Sequence, residues 1–376
     1  MSRMKTSSAH WATAILVATA VAGCGGGGGG GDPANPATEA AVNSTTAPDV
    51  AAVDAARAPT DAFVNAAGSA ATAPPTSPIR AADRISAATA AANSSVNACG
   101  AIRPFYWELG DAKARQVGGS VKGAPAERLI AQNTVLPFAS ASKWLYAAYV
   151  VQRRAGDLAA NDTRLLSMLG GFISLKDCRA DQTVGQCLAW TGNGAYTASA
   201  DGHFDYNGGH MQQHAALMGL GGFDPIGLAT EIRSQLGADL DLTYAQALAP
   251  GGAVGSANTY AAFLRKLLSG QLRIGALLGT SAVCASPAKC KPGDALYSPA
   301  PSNEITHYSL GHWVEDDPTL GDGSFSSAGS FGFYPWVNAG HNQYGVISRK
   351  GPEGSGKASM YCGRLIRKAW QTGVAQ

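Results

Sequence analysis

The sequence predicts a mixed α/β (α+β) domain: an antiparallel sheet flanked by helices, with a mostly helical lobe inserted at about 156–250. Three observations predict it. Strand-like segments stand at both ends of the folded part, the chain between them reads as helix and loop, and an apolar helical pattern closes the chain. About 280 residues follow Arg103, ample for one large core.

Residues 1–24 read as an address. Arg3 and Lys5 precede the apolar run Trp11–Val21, which is too short for a permanent span and closes on Val21-Ala22-Gly23-Cys24. This pattern resembles a bacterial lipoprotein signal. The resemblance implies lipidation at Cys24 and an exported, membrane-anchored protein facing the periplasm or the cell exterior; an ordinary secretory signal is the alternative. Residues 25–97 begin with seven glycines and continue rich in Ala, Thr, Pro, Ser and Asn. Such composition cannot offset chain entropy by burial, so it reads as a disordered tether, with only weak support for a helix near Ala81–Ala92. The folded domain is expected over 98–376.

Within it, Phe105–Leu109 and Gln116–Val121 flank a Gly-Asp turn and predict a hairpin. A short strand is expected around Leu129–Gln132. Leu145, Ala148, Tyr149 and Val151 then recur at helical spacing until Gly156. Two helices are expected from Gly251 onward, over Ser256–Leu268 and near Ile274. Strands are expected over Tyr308–Val314, Ser330–Val337 and Tyr344–Ser348, and a last helix over Ser359–Thr372.

Net charge is +2 and only 14% of residues are charged, with no basic stripe, which argues against a nucleic-acid partner. Setting Cys24 aside, six cysteines remain: Cys99, Cys178, Cys187, Cys284, Cys290 and Cys362. An even count in an exported chain points to disulfides, and the absence of any Cys-x-x-Cys pair argues against a metal site. Cys178–Cys187 and Cys284–Cys290 would each close a local loop, leaving Cys99 to meet Cys362.

Ser140-Ala141-Ser142-Lys143 is the sharpest motif. It sets a hydroxyl at a helix start and a lysine three residues on, neighbours on the helix surface. A desolvated lysine there loses its proton readily and can act as a base toward the serine. The same spacing recurs at Ser2 and at Ser286, but neither precedes a helical apolar pattern. A second candidate is Tyr206, in a glycine-rich turn before a helix, whose hydroxyl is expected to have a lowered pKa beside an ammonium group. In the same stretch His203, Asp205, His210 and His214 allow a zinc reading, though the glutamate of a metalloprotease helix is missing. A third segment, Phe325–Val337, puts small residues ahead of an aromatic strand, where a backbone edge can stabilise an oxyanion.

Five segments in this order resemble the serine beta-lactamase and penicillin-binding-protein superfamily, in the branch of class C beta-lactamases, DD-peptidases, family VIII esterases and nylon-oligomer hydrolases. They are Phe138–Leu145, Phe204–Gln212, Ala249–Ser256, Ser309–Val314 and Ser327–Trp336. No Gly-x-Ser-x-Gly elbow occurs, which argues against an α/β-hydrolase. The resemblance implies Ser140 as acylated nucleophile, Lys143 as its base and Tyr206 in the proton traffic. It implies an oxyanion hole from the N–H groups of Ser140 and Ser330, with Ser327, Gly329 and Asn207 binding substrate, and neither cofactor nor metal. Gly208 stands where the family usually has asparagine, and Ser327 where it has lysine or histidine. With no fixed cation for a substrate carboxylate, the expected substrates are small carboxylic esters or neutral amides. Beta-lactams and peptidoglycan stems, or a sensor-like role without turnover, are the alternatives. Arg349 or Lys350 is a candidate replacement for the missing cation.

Overall fold

The structure, a computed structural model, describes residues 78–376; Cys24 and the predicted signal lie outside them. The helices are α1 (Ala81–Asn93), α2 (Ser142–Arg153), α3 (Ala160–Leu166), α4 (Val184–Ala189), α5 (Gly209–Ala215), α6 (Pro225–Leu236), α7 (Ala257–Leu268) and α8 (Gly356–Thr372). The strands are β1 (Phe105–Gly110), β2 (Arg115–Val121), β3 (Leu136–Pro137), β4 (Phe204–Asp205), β5 (Thr243–Tyr244), β6 (Ala253–Gly255) and β7 (Val283–Cys284), followed by β8 (Ala295–Tyr297), β9 (His307–Ser309), β10 (His312–Glu315), β11 (Ser324–Ser326), β12 (Tyr334–Val337) and β13 (Tyr344–Ser348).

One eight-stranded sheet runs β2-β1-β13-β12-β11-β10-β9-β7, antiparallel at every pair. The N-terminal hairpin adds to strands from the C-terminal end, so the sheet is assembled from both ends of the chain. The helices α3 to α6 come from the stretch between. α1 and α8 cover one face through Trp107, Tyr334, Trp336, Ile347, Ile366 and Trp370. On the other side lies the main core, built around α2 and α7. From Ser142 to Val151 every residue of α2 is buried. It is therefore a central helix, covered on every side, rather than a surface helix with one wet face. Each such large side chain contributes roughly 1.5–3 kcal/mol by burial.

Several expectations change. The tether does not extend to residue 97, because α1 is a packed helix. Ala87 and Ala91 meet Ala369 of α8, and Asn97 Nδ2 donates to the carbonyls of Ala91 and Gln376. Alanines bury little area each, but they let two helices approach closely, so composition understates the contact. No strand forms at Leu129–Gln132; the short strand is Leu136–Pro137, paired with β6. Tyr308–Val314 is broken into β9 and β10 by a turn at Leu310 and Gly311, both at positive φ. Ser330 falls in the β11–β12 hairpin rather than in a strand, and the element near Ile274 is a 3₁₀ turn, Arg273–Leu277. All three cysteine pairs form disulfides: Cys99–Cys362, Cys178–Cys187 and Cys284–Cys290. Among the described residues, no helix is long and apolar enough to cross a membrane.

Candidate active site

Ser140 sits in a 3₁₀ turn, Ala139–Ala141, that runs straight into α2. Ala139 before it is held at φ 47°, a left-handed conformation that costs an alanine about 1 kcal/mol. Such strain concentrates where a side chain must be presented at a fixed angle. One turn later Lys143 is buried, with Nζ 3.0 Å from Ser140 Oγ and donating to the Pro250 carbonyl at 3.1 Å. It has no carboxylate partner among the described residues, and burial alone pulls its pKa down to about 7. At neutral pH a large fraction of Lys143 is thus the free amine, able to accept the Ser140 proton.

The Pro250 carbonyl is itself fixed. Gln212 Oε1 accepts from Ala249 N at 2.9 Å, its Nε2 donates to the Ala247 carbonyl at 2.8 Å, and Ser142 Oγ accepts from Ala253 N. Gly208 makes room for this segment: a Cβ there would lie 3.0 Å from Pro250 Cγ. Where the resemblance expects an asparagine side chain, the structure has a backbone carbonyl beside the lysine.

Tyr206 follows β4, and its ring centroid lies 5.0 Å from Lys143 Nζ. Its pKa is not lowered, as its neighbour implied. Burial pushes it up, the nearby Ser140 hydroxyl and Trp313 indole pull it part of the way back, and it rests at about 12. The desolvated lysine supplies too little positive charge at neutral pH to stabilise a phenolate, so Tyr206 is a neutral O–H donor. Trp313 stacks on it, centroids 4.9 Å apart. Trp313 carries no motif signal of its own, and only its place in Ser309–Val314 hinted at it.

Ser327 is buried and its Oγ donates to the Ser140 carbonyl at 3.2 Å. Gly329 N donates to the Phe333 carbonyl at 2.7 Å, and a Cβ on Gly329 would collide with the Phe138 carbonyl, so only glycine lets the hairpin approach the Ser140 turn. Ser330 Oγ accepts from Gly354 N, while among the described residues its own N–H has no protein acceptor. Beneath, β10 and β11 are tied to α8 by Glu315, which accepts from Ser326, Tyr334, Arg364 and Arg367. Burial pushes Glu315 up, but Arg367 and Arg364 outweigh it and hold the carboxyl at about 2. Losing one partner of so buried a pair costs about 3–5 kcal/mol.

Asn207 lines the cavity, but its amide is engaged elsewhere. Nδ2 donates to the Ile173 and Leu175 carbonyls and Oδ1 accepts from Gly209 N. It braces the Leu175 wall rather than offering a free amide to a substrate. Arg349 is also displaced from the expected role: it is buried against Ser359 and neither it nor Lys350 lines the cavity, whereas Lys357 does.

The four residues of the zinc reading do not converge. His210 accepts from Gly170 N and donates to the Asp205 carbonyl, and burial lowers its pKa to about 4. His214 bridges Tyr146 and Asp162, and His203 contacts the Gly293 carbonyl. Among the described residues no cluster of three or more His, Cys, Asp or Glu is placed to hold a metal ion.

Ser140, Lys143, Tyr206, Asn207, Gly329 and Ser330 open onto one cleft of about 800 Å³. Its walls include Leu175, Lys176 and Asp177 from one segment and Tyr297, Pro299, Ala300 and Pro301 from another.

No protein-family model matches the chain, and no curated protein matches it by sequence. Solved structures do match in fold. The hydrolase EstCE1, with promiscuous acyltransferase activity, is 14% identical with a TM-score of 0.55, over 77% of this chain and 99% of its own. A D-stereospecific amidohydrolase from Streptomyces sp. is 14% identical with a TM-score of 0.53, over 79% and 100%. An octameric penicillin-binding protein homologue from Pyrococcus abyssi is 13% identical with a TM-score of 0.51, over 73% and 74%. At such identities the likeness speaks for architecture, and it is one the five ordered segments imply independently: the chain has the fold of the serine beta-lactamase and penicillin-binding-protein-like superfamily.

Proposed function

We propose that this protein is an exported, lipid-anchored serine hydrolase that cleaves carboxylic esters or small amides through an acyl-enzyme on Ser140. The carrying observation is Lys143: buried, 3.0 Å from Ser140 Oγ and titrating near 7. Neutral Lys143 takes the Ser140 proton as Oγ bonds to the substrate carbonyl carbon, and the C=O pair moves to oxygen. The N–H groups of Ser140 and Ser330 are the proposed donors to that oxyanion. As the intermediate collapses, the leaving oxygen or nitrogen takes the Tyr206 proton, which the Lys143 ammonium replaces. Water then adds to the acyl carbon and gives its proton to the same pair; as the bond from that carbon to Ser140 Oγ breaks, Oγ takes the proton back, and the free enzyme releases the acid product. The lipid anchor at Cys24 and the export it implies rest on sequence alone.

The test is hydrolysis of p-nitrophenyl butyrate by wild type and Ser140→Ala. Loss in the variant, with an acyl adduct on the Ser140 peptide of the wild type, supports the reading; equal rates overturn it.

One observation favours a second reading, a substrate bearing a carboxylate. Lys357, at the start of α8, lines the cleft and gives it an exposed cation that Ser327 does not. Beta-lactam turnover exceeding ester turnover, or a stable penicilloyl adduct without turnover, would move the assignment to a beta-lactamase, peptidase or sensor.

A further inference from the structure

We propose that the cleft extends, past Tyr206, into a second apolar subsite that accepts the uncharged alkyl or aryl arm of the leaving group; this rests on the reading of Tyr206 as donor to that group. A cavity of about 220 Å³ adjoins the cleft and shares Tyr297, Ala300 and Pro301 with it. Pro287, Ala288 and Leu296 complete its apolar lining, and no charged side chain is among its lining residues. Two of its hydroxyls are already engaged: Ser286 Oγ bonds Thr306, and Ser298 Oγ accepts from Ala300 N. What remains for a ligand is mostly carbon surface, with the hydroxyls of Tyr297 and Ser302 beside it.

The location follows from the pairing of β4 with β8. Tyr206 N donates to the Tyr297 carbonyl at 3.0 Å, so the Tyr297 ledge lies one strand spacing, about 4.8 Å, from the tyrosine backbone. A chain attached to the oxygen that Tyr206 protonates reaches this ledge first. Leu296 and Tyr297 stand 44% and 55% exposed there, adjacent large apolar side chains left open beside a reaction cleft. The wall is built to hold its shape: Pro299 and Pro301 restrict the backbone, and the Cys284–Cys290 disulfide closes the loop carrying Pro287 and Ala288. A ligand would bury the exposed carbon without having to order the wall.

The experiment compares two ester series on the full chain. One varies the alcohol of alkyl butyrates from methyl to octyl; the other varies the acyl chain of p-nitrophenyl esters from acetate to octanoate. In wild type, kcat/KM is expected to rise about 2- to 4-fold per methylene along the alcohol series. Leu296→Asp, which charges the subsite, and Ala288→Trp, which fills it, flatten that rise and leave the acyl series unflattened. Both positions are exposed, and an unchanged Tm excludes misfolding. A flat alcohol series in wild type, an unaltered slope in both variants, or flattening of the acyl series instead overturns the proposal. If wild type cleaves no ester at all, the catalytic reading fails, and the subsite is read by calorimetric titration with N-octylacetamide: binding lost in Ala288→Trp supports it, and no binding to wild type overturns it.

Discussion

The ring of Tyr206 lies against the indole of Trp313, with centroids 4.9 Å apart and planes 26° apart. Phe204 and Tyr308 pack edge-on around the same indole. The proposed proton donor is therefore oriented by a wall from β10, not by the loop that carries it. Trp313→Phe keeps an aromatic surface against the ring, so kcat is expected to stay within a few-fold of wild type with KM little changed. Trp313→Ala frees the ring, and kcat should drop toward the low end of the ~10²–10⁴-fold that positioned acid–base groups contribute. Steady-state kinetics on a p-nitrophenyl ester separate the two.

The pH–rate profile reads the lysine. With Lys143 titrating near 7 and Tyr206 near 12, activity is expected to rise through about pH 7 and to stay level well into the alkaline range. A falling limb near pH 9 would contradict a neutral, protonated tyrosine. Single-turnover acylation of Ser140 across pH measures this directly.

The same shift carries a stability cost with a definite sign. The unfolded chain holds the Lys143 proton up to about pH 10.4, while the folded chain releases it near 7. The unfolded state thus binds more protons between those values, and stability rises with pH across that window. Below pH 7 the whole cost is present. Lys143→Met removes it, so the variant should be inactive yet more stable than wild type at pH 6, by on the order of a few kcal/mol. That gap should shrink as pH approaches 10. Urea midpoints at pH 6, 8 and 10 test the trend.

Local chemistry was legible in the sequence wherever it depends on spacing along one helix or turn. Ser140 and Lys143 are three residues apart, so helix geometry alone brings them together. Tyr206 is announced by its glycine-rich turn. What was not legible comes from elements distant in sequence: Pro250, 107 residues after the lysine it accepts from, Trp313 from a different strand, and Gln212 holding the Pro250 segment. The direction of the Tyr206 shift depends on burial, which neighbours in sequence do not reveal. α1 was weak for a related reason, since an alanine-rich segment looks poor until α8 is there to pack on it.

The three disulfides divide by task, which gives a prediction about specificity. Cys99–Cys362 spans 263 residues and ties the start of the sheet to α8, while Cys178–Cys187 and Cys284–Cys290 span 9 and 6. In the loop-closure picture the long link is worth about 5 kcal/mol and each short one roughly 2–3. The short links instead stand behind the two walls of the cleft. One follows Leu175, Lys176 and Asp177, with Gln246 bonding both Asp177 and the Cys178 carbonyl; the other backs the Tyr297–Pro301 wall. Replacing Cys99 and Cys362 by alanine should lower Tm most and leave KM near wild type in the fraction that stays folded. Replacing Cys178 and Cys187 should cost less stability but raise KM several-fold, because a loosened wall must be ordered when substrate binds. Thermal melts beside KM for one ester decide it: if KM tracks Tm across the three double variants, the walls have no task of their own.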